Sequence, residues 1–262
     1  MARKERTKQK PRSRQPQPLP PPLPPEERSV GQLVAETIRF YQHHFFQTIP
    51  LGLSVAALTQ LTVAFGDHPR EPRGHPPPKD FETAHSILGG GVEVTILLGA
   101  LLLTASYIVA IVLVTGIRPQ QRAIGTAYGL GVLIFLPVPL LAQLLVLPAV
   151  VYLAFFGWVV PAALVERSGF RESIRRSAQL ARVDYIHAAG GLATLVIVFY
   201  VVRLMLALLL RSGGESTERV AALLADLVLS PMLFVGAAIL YLDQAARVRA
   251  KSSKLEAPTQ EA

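Results

Sequence analysis

The chain has 262 residues, of which 51% are hydrophobic and only 17% charged, and its mean hydropathy is +0.39. Soluble domains carry about 25% charged residues, so this composition excludes an ordinary soluble enzyme and indicates an integral membrane protein. Zero cysteines exclude disulfides, a thiolate nucleophile and a cysteine zinc site. The net charge of +8 would raise nucleic-acid binding in a soluble protein; here its position along the chain matters more.

Within a tail spanning 1–28, Met1 to Arg14 holds Arg3, Lys4, Arg6, Lys8, Lys10, Arg12 and Arg14 against one acid, Glu5, and a proline-rich run follows from Pro16 to Pro25. No apolar stretch follows the basic start, so it is not a signal peptide. It cannot bury enough apolar surface to fold, and a disordered cytoplasmic tail with polyproline II character is expected. Ser29-Val30-Gly31-Gln32 reads as a capping box. It opens an amphipathic helix over 29–42, with Val30, Leu33, Val34, Ile38 and Tyr41 on one side and Gln32, Glu36, Arg39 and His43 on the other. That helix is expected to lie at the inner membrane surface.

Apolar blocks then predict six spans near 45–65, 92–116, 123–145, 148–165, 188–210 and 220–242. The block from Ala123 to Val165 is twice the length of about 20 residues that one span needs. Pro148 falls where a hairpin would turn, with Pro137, Pro139 and Pro161 elsewhere in the block. Arg118 and Arg122 precede the block; Arg167, Arg171, Arg175, Arg176 and Arg182 follow it. The positive-inside rule puts both flanks in the cytoplasm, so the block crosses twice and both termini are cytoplasmic. On that topology only Arg70, Arg73, Lys79, Arg211 and Arg219 are external and Arg203 is intramembrane.

A second amphipathic helix is predicted between Ser168 and Asp184, with Phe170, Ile174 and Leu180 on its apolar side. Arg171, Arg175 and Arg182 lie close together on it, and Glu172 is spaced to pair with Arg176. Within the last two spans, Arg203 and Asp226 fall at similar depth on successive antiparallel helices. A charge at mid-membrane costs on the order of 2.5–3.5 kcal/mol on insertion scales, which predicts a buried Arg203–Asp226 ion pair, acting as a helix clamp or as part of a solute route. Gly52, Ser54, Ala56, Gly99, Gly190, Gly191 and Gly236 read as close helix contacts. His68, His75 and His85 in the loop from Gly66 to Gly91 match no metal spacing. There is no G-x-S-x-G, no phosphate-binding loop and no H-E-x-x-H, so neither an enzyme nor a cofactor or metal is implied.

Val159-Val160-Pro161-Ala162-Ala163-Leu164-Val165-Glu166 running into Arg175-Arg176-Ser177, with Tyr241-Leu242-Asp243 and Arg247 at the end of the last span, resembles a group of bacterial six-span proteins. These are related to the membrane domain of some glycerophosphoryl diester phosphodiesterases. The resemblance runs from about Ser29 to Arg249, and Glu166, Arg176, Ser177 and Asp243 are the matching positions. It implies a stand-alone membrane module without the catalytic barrel, whose His-Arg and Glu-x-Asp signatures are missing. Glu166 and Asp243 would then tie the basic helix to the ends of spans four and six.

The expected protein is an all-α polytopic bundle of the bacterial plasma membrane, with a membrane domain at 29–249 and a disordered tail at 250–262. Its expected role is non-enzymatic binding of anionic lipid through Arg171, Arg175, Arg176 and Arg182. The bilayer, anionic lipids and a membrane-protein partner are the implied partners, and no nucleic acid. The alternative is a small transporter using Arg203 and Asp226.

Overall fold

A computed structural model describes residues 27–65, 90–144, 146–210 and 215–256. Among them all regular structure is helical: α1 (Val30–His43), α2 (Phe45–Phe65), α3 (Gly90–Thr115), α4 (Gln121–Phe135), α5 (Val138–Leu144), α6 (Val146–Phe156), α7 (Val159–Val165), α8 (Phe170–Val183), α9 (Tyr185–Leu210) and α10 (Glu215–Glu256). Five stretches are long and apolar enough to cross a membrane: Glu93–Thr115, Gln121–Leu141, Val146–Val165, Tyr185–Leu210 and Arg219–Ser253. The protein is therefore a multi-pass, all-α helical bundle. The first predicted span coincides with α2, whose apolar run Phe45–Leu61 is shorter than the other five. The tail before Glu27 and the histidine-bearing part of the long loop lie outside the described residues.

The core is built around α10, which touches α1, α2, α3, α8 and α9. It continues to Glu256, through the first half of the segment that the sequence assigns to a disordered tail. Residues 250–256 lack long apolar side chains apart from Leu255 but include Ala250, Lys251, Lys254 and Glu256, which are good helix formers.

The long apolar block folds as two traverses, each interrupted: α4 and α5 part at Leu136–Pro137, α6 and α7 at Gly157–Trp158. The second break follows from Pro161, which has no N–H to donate to the Gly157 carbonyl four residues before it. That carbonyl accepts from the Tyr107 hydroxyl of α3 at 3.3 Å. The neighbouring carbonyls are served by side chains too: Trp158 Nε1 donates to Ala154 O at 2.7 Å, and Ser177 Oγ of α8 to Phe155 O at 2.7 Å. A backbone break inside an apolar bundle persists only where protein groups satisfy it, and here three different side chains do so.

The capping box forms at α1, with Ser29 N–H donating to Gln32 Oε1 at 2.8 Å and Gln32 N–H to Ser29 Oγ at 3.4 Å. The helix turns one side of its amphipathic pattern onto its neighbours. Its buried stripe is Leu33, Thr37 and Tyr41, an i, i+4, i+8 row applied lengthwise to α9 and α10. At one end the Arg28 carbonyl receives Arg247, and at the other the Tyr41 hydroxyl donates to Val228 O at 2.6 Å. Burying the row against two long helices removes more apolar surface than contact with headgroups alone.

Candidate functional site

Two polar clusters stand out, both organised by aspartates of α10. Deep in the bundle, Asp226 is fully buried. Arg203 of α9 approaches it with Nε 3.3 Å from Oδ1 and one terminal nitrogen 3.4 Å from Oδ2, and Thr59 of α2 donates to Oδ2 at 2.7 Å. The structure thus brings together the two residues that the depth argument pairs, and adds Thr59, so three helices meet on one carboxylate. Ser230 also hydrogen-bonds to the Asp226 backbone carbonyl. At the residue next to Asp226, α2 presses on α10 through Gly52, where a Cβ would collide with Leu227 O. This is the carbonyl that Pro231 leaves without a helical donor, so glycine lets the two backbones close over it. Gly99, Gly191 and Gly236 also have side chains of other helices close by, whereas Gly190 has open space.

At the end of the bundle where α3 and α7 finish and α4, α8 and α9 begin, the second cluster is larger. Asp243, fully buried, accepts from His187 Nε2 at 2.8 Å and Arg247 Nε at 3.1 Å. The same Arg247 reaches Asp184 Oδ2 at 3.1 Å and the Arg28 carbonyl at 2.6 Å. Asp184 in turn caps α9, accepting from the His187 N–H at 3.1 Å. Beside this, Glu166 Oε1 receives Arg176 Nε at 2.9 Å and the Tyr241 hydroxyl at 3.1 Å, joining the end of α7 to α8 and α10.

These contacts redistribute the predicted roles. Glu166 does tie the basic helix to a span, through Arg176. Among the described residues Asp243 makes no hydrogen bond or ion pair to α8; it holds the start of α9 instead. Arg176 pairs with Glu166 rather than with Glu172, and so is half-buried and engaged, unlike Arg171, Arg175 and Arg182, which are exposed. Ser177 is buried as the donor to Phe155 O. Of the predicted apolar side of α8, Leu180 is buried, but Phe170 is 52% and Ile174 36% exposed. The inward row is Ser173, Ser177, Leu180 and Ala181, since only small residues let α8 approach the break between α6 and α7. Sequence reasoning passed over His187 and Asp184, although an aspartate just before an apolar helical run is a capping signal.

The acids of this end are largely consumed: Glu36 by Arg28 at 3.9 Å, Glu166 by Arg176, and Asp184 and Asp243 by Arg247. The arginines are not. Arg39, Arg118, Arg122, Arg167, Arg171, Arg175 and Arg182 are exposed and form no ion pair with a described residue. One of them is strained: Arg167 has φ 54°, in the left-handed region that costs a non-glycine residue about 1–2 kcal/mol.

No protein-family model, curated protein or solved structure matches the chain. The likeness of Glu166, Arg176, Ser177 and Asp243 to the phosphodiesterase membrane domains therefore rests on those short motifs alone.

Proposed function

We propose that the protein is a non-enzymatic membrane module whose arginine-rich end, on the cytoplasmic side, holds anionic lipid headgroups. The observation that carries this reading is the imbalance just described, in which most acids are held by arginines of the bundle while seven arginines, against the exposed Glu172, face outward unpaired among the described residues. On α8 the exposed Arg171, Arg175 and Arg182 stand beside exposed Phe170 and Ile174, the pairing of cations with apolar side chains that suits a headgroup boundary. Each such arginine contributes about 1 kcal/mol against an anionic surface. The Arg203–Asp226 pair fits the clamp role better than a solute route, because Thr59 and Arg203 already occupy the carboxylate.

The test is native mass spectrometry of the full chain released directly from membranes containing phosphatidylglycerol. Retained anionic lipid is expected on the natural protein, and loss of most of it on Arg171→Gln/Arg175→Gln. Arg176 is left intact, because removing it would also strand Glu166. Equal lipid retention by zwitterionic and anionic species, or no effect of the double change, would overturn the reading. Single cysteines at Ser253 and Gly74, on opposite sides of the expected topology, check which end faces the cytoplasm.

A further inference from the structure

Beyond the diffuse attraction of α8, two arginines from separate loops converge on one cavity. Arg118 follows α3 and Arg167 follows α7; both line a pocket of about 240 Å³ whose remaining walls are Ile117, Pro119, Leu164 and Val165. We propose that this pocket is a discrete site for the phosphate of one membrane lipid headgroup, held between the Arg118 and Arg167 guanidinium groups. The proposal rests on the lipid-binding reading and gives it a location away from α8.

Four observations point the same way. Neither guanidinium has an acid partner among the described residues, so both cations at the rim of the cavity are available to an anion. Both loops are conformationally fixed: Gly116, with φ 65°, closes α3 through its N–H to Val112 O at 2.9 Å, and Arg167 itself is held at positive φ. A strained non-glycine residue persists where its surroundings demand it, and such positions cluster at ligand clamps. Next, α4 begins directly after Arg118-Pro119-Gln120, and Gln120 makes no side-chain cap, so its side chain does not compete with an anion for the positive end of that helix. Finally, the floor is apolar and continuous with the last turns of two helices long and apolar enough to span, which suits a phosphate carried on acyl chains rather than one arriving alone from water. The volume is below the roughly 300–1,000 Å³ of pockets for drug-sized ligands, so a headgroup fits where a nucleotide does not. Arginine is the side chain that best matches phosphate oxygens, through two parallel N–H donors.

The experiment titrates the full chain in zwitterionic detergent micelles with dioctanoyl phosphatidylglycerol, dioctanoyl phosphatidylcholine and inorganic phosphate, followed by native mass spectrometry and thermal unfolding. Losing two charge-assisted contacts predicts at least about tenfold weaker phosphatidylglycerol binding in Arg118→Gln/Arg167→Gln. Arg167→Gly separates folding from binding, because glycine relieves the positive φ: it is expected to unfold no earlier than the natural protein and still to bind phosphatidylglycerol more weakly. Arg171→Gln/Arg175→Gln is the distinguishing control. If the α8 changes abolish binding and the pocket changes leave it intact, the proposal fails while the broader reading stands. If neither set weakens binding, both fail. Competition by millimolar inorganic phosphate as effective as that by phosphatidylglycerol overturns the lipid assignment in favour of a soluble phosphate ligand.

Discussion

Asp226 and Asp243 lie on the same helix, both without solvent exposure, yet they are neutralised in different ways. Among the described residues Asp226 has one arginine and one side-chain hydroxyl, each from a different helix, and Arg203 has no second acid. Asp243 sits in a branched network in which Arg247 is shared with Asp184 and the Arg28 carbonyl, and His187 supplies another donor. The inner site is a minimal pair that any loss destroys; the outer one is redundant. The contrast follows from surroundings. In an apolar layer an extra polar group is a liability, whereas near the end of the bundle, water and further charges are at hand and a network can branch.

Asp226→Asn should do the most damage, because it leaves Arg203, half-buried among apolar helices, without its counter-charge. A loss of about 3 kcal/mol is expected, measured by reversible unfolding in mixed micelles. Adding Arg203→Leu should restore most of it; simple additivity of the two changes would dissolve the pair as an energetic unit. Gly52→Ala strikes the same site indirectly. Its new methyl collides with Leu227 O, pushes α2 away, and with it the Thr59 donor; a loss of about 2–3 kcal/mol is expected. The same unfolding assay reads it, and an unchanged midpoint would mean that α2 can slide without penalty. Asp243→Asn should be mildest, about 2 kcal/mol, since Arg247 keeps Asp184 and the Arg28 carbonyl. Its distinguishing sign is faster hydrogen exchange at the first turn of α1. If Asp243→Asn proves as severe as Asp226→Asn, the outer network is not redundant.

Much of this arrangement is legible in the residues. Long charge-poor runs mark the spans, because a bilayer-crossing helix tolerates little else. Ser29 and Gln32 mark the start of α1 through chemistry confined to four residues. Arg203 and Asp226 can be matched because depth in antiparallel helices is a matter of counting. What escapes is tertiary. No local pattern shows that Tyr107, fifty residues away, serves the carbonyl orphaned by Pro161, or that Thr59 joins Asp226. The inward row of α8 is hidden for a related reason: hydrophobicity marks Phe170, Ile174 and Leu180 as the apolar side, but the approach to a broken backbone turns the small Ser173 and Ser177 inward with Leu180. The same holds for α1, whose amphipathic pattern fits a membrane surface or a neighbouring helix equally well.

Pro231 has a mechanical consequence. It stands between the two aspartates, at the one place in α10 where the helical ladder lacks a rung, and Glu256 lies 25 residues beyond it, an arm of about 38 Å. A change of about 10° in the bend there would carry the tip of the helix through roughly 6–7 Å, while the clamp at Asp226 stayed fixed. Much of that arm is core, with Val235, Ala238, Leu240, Tyr241 and Asp243 buried, so such a bend would carry the neighbouring helices with it, and Arg247 resists it through Asp184 and the Arg28 carbonyl.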